Sequence, residues 1–150
     1  IVTFLNRKYP LTEEGDYFTI WVGVWQSSTH LLRYASAGHP GSILVKSDMP
    51  SVVLGDRSWP IGFSIEGVYR TESVPVHAGE RLYLFSDGIY EVMDAHEEIW
   101  GRKRLQEALE SVANREMMWG LNSIIEKSRA WSVQGVFEDD VALLGLEFLG

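Results

Sequence analysis

The chain has 150 residues, 45% of them hydrophobic and 12% aromatic, which suits one domain, 1–150, with a packed core. Its formal net charge of -8, from 21 acidic against 13 basic side chains, excludes a nucleic-acid surface built on clustered Lys and Arg. There is no cysteine, which removes disulfides and thiolate metal sites, and no apolar run approaches the length of a membrane span. No signal-like segment opens the sequence, so a soluble, cytoplasmic setting is expected.

Ile1 to Tyr9 carries apolar positions at helical spacing up to Pro10, with no initiating Met and no capping residue, and reads as the tail of a helix; the sequence is expected to be a fragment of a longer protein. Leu11 to Asp16 is polar and turn-like. Tyr17 to Trp25 alternates an aliphatic face (Phe18, Ile20, Val22, Val24) with an aromatic one (Trp21, Trp25), a strand with both faces expected to be covered. Gln26 to Thr29 is a hairpin loop, and His30 to Ala37 returns as a strand with Leu32 and Tyr34 on one side. After the break at Gly38-His39-Pro40-Gly41, Ile43 to Val45 is a short third strand, giving an antiparallel meander. Ser47 to Gly67 reads as an irregular, functional or flap-like stretch punctuated by Pro and Gly. Val68 to Val76 is predicted as a strand turning at His77 to Glu80 into the buried run Leu82 to Phe85, and Ile89 to Met93 as a helical turn.

Two amphipathic helices follow. Gly101 to Arg115 places Leu105, Ala108, Leu109 and Val112 on one stripe, and Met117 to Trp131 does so with Met117, Leu121, Ile124, Ile125 and Trp131; both stripes read as core. The chain closes with an apolar strand over Val141 to Phe148. This order of strands, helices and a last strand predicts an α+β layered sandwich.

The chemistry-bearing residues lie at strand ends. Asp87 follows the Leu82 to Phe85 run, and Gly88 would let backbone approach a ligand there, although Asp-Gly is equally a common turn dipeptide. Asp139 and Asp140 precede the last strand. If the two strands are antiparallel neighbours, these acidic groups meet, and carboxylates held together favour a hard divalent cation such as Mg²⁺ or Mn²⁺; two unrelated, solvated turns are the alternative. His39 after its glycine turn reads as a group that satisfies backbone, and His30, His77 and His96 as surface residues.

The order of Tyr34-Ala-Ser-Ala-Gly38-His39-Pro40, Trp59-Pro60-Ile61-Gly62, Gly79-Glu80, Ser86-Asp87-Gly88, Glu98 with Gly101, and Asp139-Asp140 resembles the metal-dependent, protein phosphatase 2C-like serine/threonine phosphatases. The similarity is to the bacterial branch of stage II sporulation protein E and sigma-factor stress-response phosphatases, and it runs along the whole chain. The resemblance implies an αββα sandwich with its N-terminal part missing and two Mn²⁺ or Mg²⁺ ions in the complete site. Asp87 and Asp139 would be metal ligands, with Gly88, Asp140 and His39 around them. It also implies a phosphorylated anti-sigma-factor antagonist as protein substrate and an upstream receiver or sensor domain. The family's Asp-x-Ser-Gly-x-Gly segment cannot be assigned here, nor can its earlier Gly-Asp motif: Gly15-Asp16 matches its letters, but Tyr17-Phe-Thr19 fits the family's strand after the helix and no Asp-x-Ser-Gly-x-Gly follows. The chain is therefore expected to carry half a site, to be inactive alone, and to expose apolar faces open to homodimerisation. A degenerate phosphatase fold acting as a binding or scaffolding module is the rival reading, and phosphodiester hydrolysis a third.

Overall fold

The computed structural model describes residues 1–11, 15–46, 49–55 and 58–149. The turn expected over Leu11 to Asp16 and the irregular stretch from Ser47 to Gly67 therefore lie partly outside the described residues. The chain forms two compact units, Ile1–Ser42 with Leu54–Ala78, and Ile43–Val53 with Gly79–Leu149.

In the first unit, helix α1 (Val2–Lys8) precedes strands β1 (Ile20–Gln26) and β2 (Leu31–Ala37), which form an antiparallel hairpin with Ile20 opposite Ala37. A 3₁₀ turn over Ser27–Thr29 joins them, as the loop residues predict. Val2, Ala37 and Ile61 make the buried centre, with Leu5, Ile20, Val22 and Tyr69 packed around it. Asn6 is buried here with its amide satisfied, donating to the Ser64 carbonyl at 2.9 Å and accepting from the Gly62 N–H at 2.9 Å. The expectation that both faces of the first strand are covered does not hold. β1 is the edge of its sheet and none of its residues is buried, with Val24 at 58% exposure.

The meander also fails after β2. The next strand, β3 (Ser42–Val45), joins the other sheet, and β2 pairs instead with β5 (Glu72–Pro75), Leu31 opposite Pro75. The exit is made at Gly38, whose φ of 66° suits glycine and where a Cβ would come within 2.8 Å of Pro60 Cα. The strand expected over Val68 to Val76 is shortened to β5, because Tyr69 turns inward to donate to Asn6 Oδ1 at 3.1 Å.

The second unit holds a four-stranded sheet in the order β4-β3-β6-β7, with β4 at Val52–Leu54, β6 at Arg81–Phe85 and β7 at Leu143–Glu147. β4 falls inside the stretch read as irregular; three residues are too few for alternation to signal a strand. Helices α2 (Gly101–Ser111) and α3 (Met117–Trp131) bury the predicted stripes, and Leu105, Leu109 and Ile124 pack with Tyr83, Phe85 and Trp100. The Glu116 carboxylate caps α3 by accepting from the Met118 and Trp119 N–H groups. Arg81 is buried at the start of β6, where it bonds Glu147 at 2.9 Å and the Arg115 carbonyl at 2.8 Å, so it closes β7 and the end of the α2 segment together. The α+β class expected from the sequence holds. Among the described residues no helix is long and apolar enough to cross a membrane.

Candidate functional site

β6 and β7 pair antiparallel, with Phe85 opposite Leu143, so the end of one strand lies beside the start of the other. The pairing continues past the strand ends through one side chain. The Ser86 N–H donates to the Ala142 carbonyl at 3.0 Å, its hydroxyl donates to the Asp140 carbonyl at 2.9 Å, and the same oxygen accepts from the Ala142 N–H at 2.8 Å. A serine hydroxyl can both donate and accept, and Ser86 uses both capacities to hold Asp140 against the foot of β6.

Asp87 comes next and opens a 3₁₀ turn, Asp87–Ile89, two residues ahead of the helical turn predicted at Ile89 to Met93. The turn starts early because the Asp87 carbonyl accepts from both the Tyr90 and Glu91 N–H groups, at 2.9 and 3.0 Å. Gly88 is buried, and a Cβ there would lie 2.7 Å from the Asp140 carbonyl oxygen and 3.3 Å from that of Asp139. Only a residue without a side chain lets the backbone come this close. The Asp139 Oδ1 accepts the Asp140 N–H at 2.7 Å, and its second carboxylate oxygen takes no hydrogen bond among the described residues. All three aspartates are exposed, and the carboxylates of Asp87 and Asp140 take no hydrogen bond or ion pair among the described residues.

The predicted juxtaposition of the Asp87 turn with the Asp139-Asp140 step is thus present in the backbone. The donor chemistry, carboxylate and carbonyl oxygen only, fits a hard divalent cation, which takes about six oxygen ligands. Among the described residues no group of three or more His, Asp or Glu side chains is arranged to hold a metal ion. Behind the turn, Tyr90 packs edge-on against Phe85, and Arg102 lies 5.2 Å from its ring centroid. Burial pushes the Tyr90 phenol up, against the opposing pull of the Arg102 guanidinium.

His39 sits in the first unit and is engaged in its own turn. Its Nδ1 accepts the Gly41 N–H at 3.1 Å and its carbonyl accepts the Ser36 hydroxyl at 3.4 Å, the backbone-satisfying role expected of it. His30, His77 and His96 are exposed. Glu98 pairs with Arg104, and Asp94 accepts the Glu98 and His96 N–H groups at 2.9 and 2.8 Å, so the loop before α2 is shaped by its own acidic residues.

The roles of two residues of this region were not read from the sequence. Ser86 offered no signal of its bridging role, since any small polar residue could precede a strand-end aspartate. Ser128 offered one, because it is polar yet falls on the core stripe of α3 four residues after Ile124; its hydroxyl donates to the Ile89 carbonyl at 2.5 Å.

Comparison with known proteins places this geometry in a class and then in a family. The chain superposes on phosphatase domains of known structure, which establishes the fold. Against the phosphatase domain of the cell fate determinant SpoIIE from Bacillus subtilis, presoaked with Mn, the TM-score is 0.74 at 18% identity, covering 99% of this chain and 64% of that one. Against the RsbU and RsbW domains of a Mycobacterium tuberculosis protein it is 0.72 at 21% identity, covering 97% and 39%. Residues 1–149 match the family described as stage II sporulation protein E, and the chain belongs to that family. Protein IcfG of a Synechocystis strain is 27% identical over 155 residues, 97% of this chain and 24% of that protein. The chain therefore spans about a quarter of this curated relative, and less than two thirds of either solved chain.

Proposed function

We propose that the chain is part of the catalytic domain of a metal-dependent protein phosphatase that hydrolyses phosphoserine or phosphothreonine, with Asp87 and Asp139 contributing carboxylates to a Mn²⁺ or Mg²⁺ ion. The observation that carries this reading is the Ser86 bridge, which fastens the Asp87 turn to the Asp139-Asp140 step. Asp87 lies on a turn that Ser86 fastens to the Asp139-Asp140 step, Asp139 commits only one carboxylate oxygen to the Asp140 N–H, and Gly88 lets the two backbones come close. When bound, the ion supplies positive charge to the phosphoryl oxygens at which negative charge builds up during transfer. With only part of a metal shell in hand, the isolated chain is expected to bind Mn²⁺ weakly and to turn over little substrate.

The substrate most consistent with the family is a phosphorylated anti-sigma-factor antagonist, in a cytoplasmic partner-switching circuit governed by a receiver or sensor domain. The related mycobacterial protein carries RsbU and RsbW domains together, which supports a partner of that kind. A phosphatase-fold binding module is the second reading. Titration of the 150-residue chain with Mn²⁺, followed by the electron paramagnetic resonance of the free ion, separates the two. Saturable binding that Asp87→Asn and Asp139→Asn each weaken by at least about tenfold supports the metal reading. Binding that neither variant changes, or none in the wild type, removes it and leaves the binding module.

A further inference from the structure

Helix α3 reaches the Asp87 turn through a side chain that packing alone would not select. Ser128 is 0% exposed, on the face that carries Ile124 into the core. A hydroxyl inside a helix commonly returns its hydrogen to the carbonyl of the preceding turn, but that of Ser128 donates across to the Ile89 carbonyl. Ile89 closes the Asp87–Ile89 turn and is itself 0% exposed. Among the described residues this hydroxyl is the donor that satisfies the Ile89 oxygen.

The same helix holds the far end of the segment. Trp131 Nε1 donates to the Glu98 carbonyl at 2.8 Å, and the Arg104 guanidinium, 4.4 Å from the Trp131 ring centroid, donates to the Trp100 carbonyl at 3.0 Å. The stretch from Asp87 to Trp100 is therefore anchored on α3 at both ends. On the β7 side the turn is held by Ser86 and by the contact of Gly88 with Asp140. The direction of the Asp87 carboxylate depends on where the turn lies between these two supports.

We propose that Ser128 is a positioning residue for Asp87: by fixing the Ile89 carbonyl it sets the turn that presents the Asp87 carboxylate to a divalent cation. The proposal rests on the metal reading above and adds to it a buried hydroxyl on a helix that touches no candidate ligand directly. Outer-shell groups that orient metal ligands ordinarily change metal affinity by about 10- to 100-fold when removed, because the ligand is left to find its own direction. A serine that merely satisfies a buried carbonyl would lower stability and leave metal affinity alone.

The experiment compares Mn²⁺ affinity and thermal unfolding for the wild-type chain, Ser128→Ala, Ser128→Cys and Ile124→Val, all well below their melting temperatures. Ile124→Val trims a neighbouring buried side chain of α3 and reports the effect of lost stability alone. The expected result is about tenfold weaker Mn²⁺ binding in Ser128→Ala, an intermediate value in Ser128→Cys, whose thiol is a weak donor, and wild-type affinity in Ile124→Val. If Ser128→Ala fails to fold, Ser128→Cys carries the comparison by the same criterion. Wild-type Mn²⁺ affinity in a folded Ser128 variant overturns the positioning role while leaving the metal reading intact. Absence of saturable Mn²⁺ binding in the wild type overturns both.

Discussion

Gly88→Ala isolates the close approach on which the candidate site is built. Gly88 is not among the glycines with positive φ, so alanine can adopt its backbone conformation and the cost is steric. The added Cβ would stand 2.7 Å from the Asp140 carbonyl oxygen and 3.3 Å from that of Asp139. A carbon and an oxygen without a hydrogen bond between them need about 3.3 Å or more, so one side must move by roughly half an ångström. The obstructing atoms are backbone, and the Asp140 carbonyl is itself held by the Ser86 hydroxyl, so the shift cannot be absorbed by turning a side chain. Overpacking of this kind costs about 1–3 kcal/mol. For a chain of this size that corresponds to a fall in Tm of roughly 4–8 °C at the middle of that range. Thermal unfolding followed by near-ultraviolet circular dichroism measures it. Gly101→Ala is the contrasting control: its φ is +78° and nothing lies within 4 Å of its would-be Cβ, so its cost is backbone strain alone, about 1 kcal/mol. The two variants should then differ in Mn²⁺ titration, with Gly88→Ala weakened and Gly101→Ala unchanged. A Tm for Gly88→Ala within about 1 °C of wild type, roughly the spread of a neutral surface change, would refute the close-approach argument.

Arg81→Met should destabilise the chain by about 2–4 kcal/mol, measured by urea unfolding, because it strips a buried donor from the Arg115 carbonyl and from Glu147. An unchanged urea midpoint would show that Arg81 is dispensable to the junction of β6, β7 and α2. Three carboxyls are held below their ordinary range: Asp94 by the Glu98 and His96 N–H groups, Glu110 by the Ser51 hydroxyl and N–H, and Glu116 by the Met118 and Trp119 N–H groups. A folded-state value below the unfolded one means that the stabilisation is complete above the ordinary carboxylate range, about pH 4 to 4.5. It is lost as pH falls through the lower folded values. Tm should therefore be steady from neutrality to about pH 5 and drop below about pH 4; Glu116→Gln should lessen the drop, and an unaltered acid profile in that variant would count against the α3 cap as a contributor.

What the sequence made legible followed from periodicity and strong boundaries. The stripes of Leu105 to Val112 and of Met117 to Trp131 needed no tertiary information, and α3 begins and ends where its pattern does. The run Leu82 to Phe85 stops at Ser86-Asp87-Gly88, and the structure ends β6 there. What misled was the assumption that consecutive strands pair. The glycine turn at residue 38 sends the chain into a second sheet, and no local pattern reveals that β2 will take β5 as its neighbour. Exposure of β1 was likewise invisible, since Val24 and Trp25 look like core in a window of sequence. At the site, Asp87 and the Asp139-Asp140 pair were readable as acidic residues at the ends of apolar runs. The partners of Ser86 and Ser128 were not, because a hydroxyl reports its partner only when the partner is in place.

The division of labour between these groups bears on how the site keeps its shape against its own negative charge. Among the described residues, the contacts that hold the Asp87 turn to the Asp139-Asp140 step are made by neutral groups: the Ser86 hydroxyl, the bare backbone of Gly88, the Ser128 hydroxyl and the ladder of β6 and β7. The Asp87 carboxylate contributes nothing to that frame, and the Asp139 carboxylate contributes one oxygen to the Asp140 N–H. Repulsion between exposed carboxylates in water is weak and screened within about 10 Å at ordinary salt, so a neutral frame can hold them together at little cost. A frame built from ion pairs would have spent the negative charge that a cation needs and would have changed shape with pH. Here charge and scaffold are separable, which is why Asp87→Asn should leave unfolding almost untouched while altering Mn²⁺ binding, whereas Gly88→Ala and Ser128→Ala should alter both.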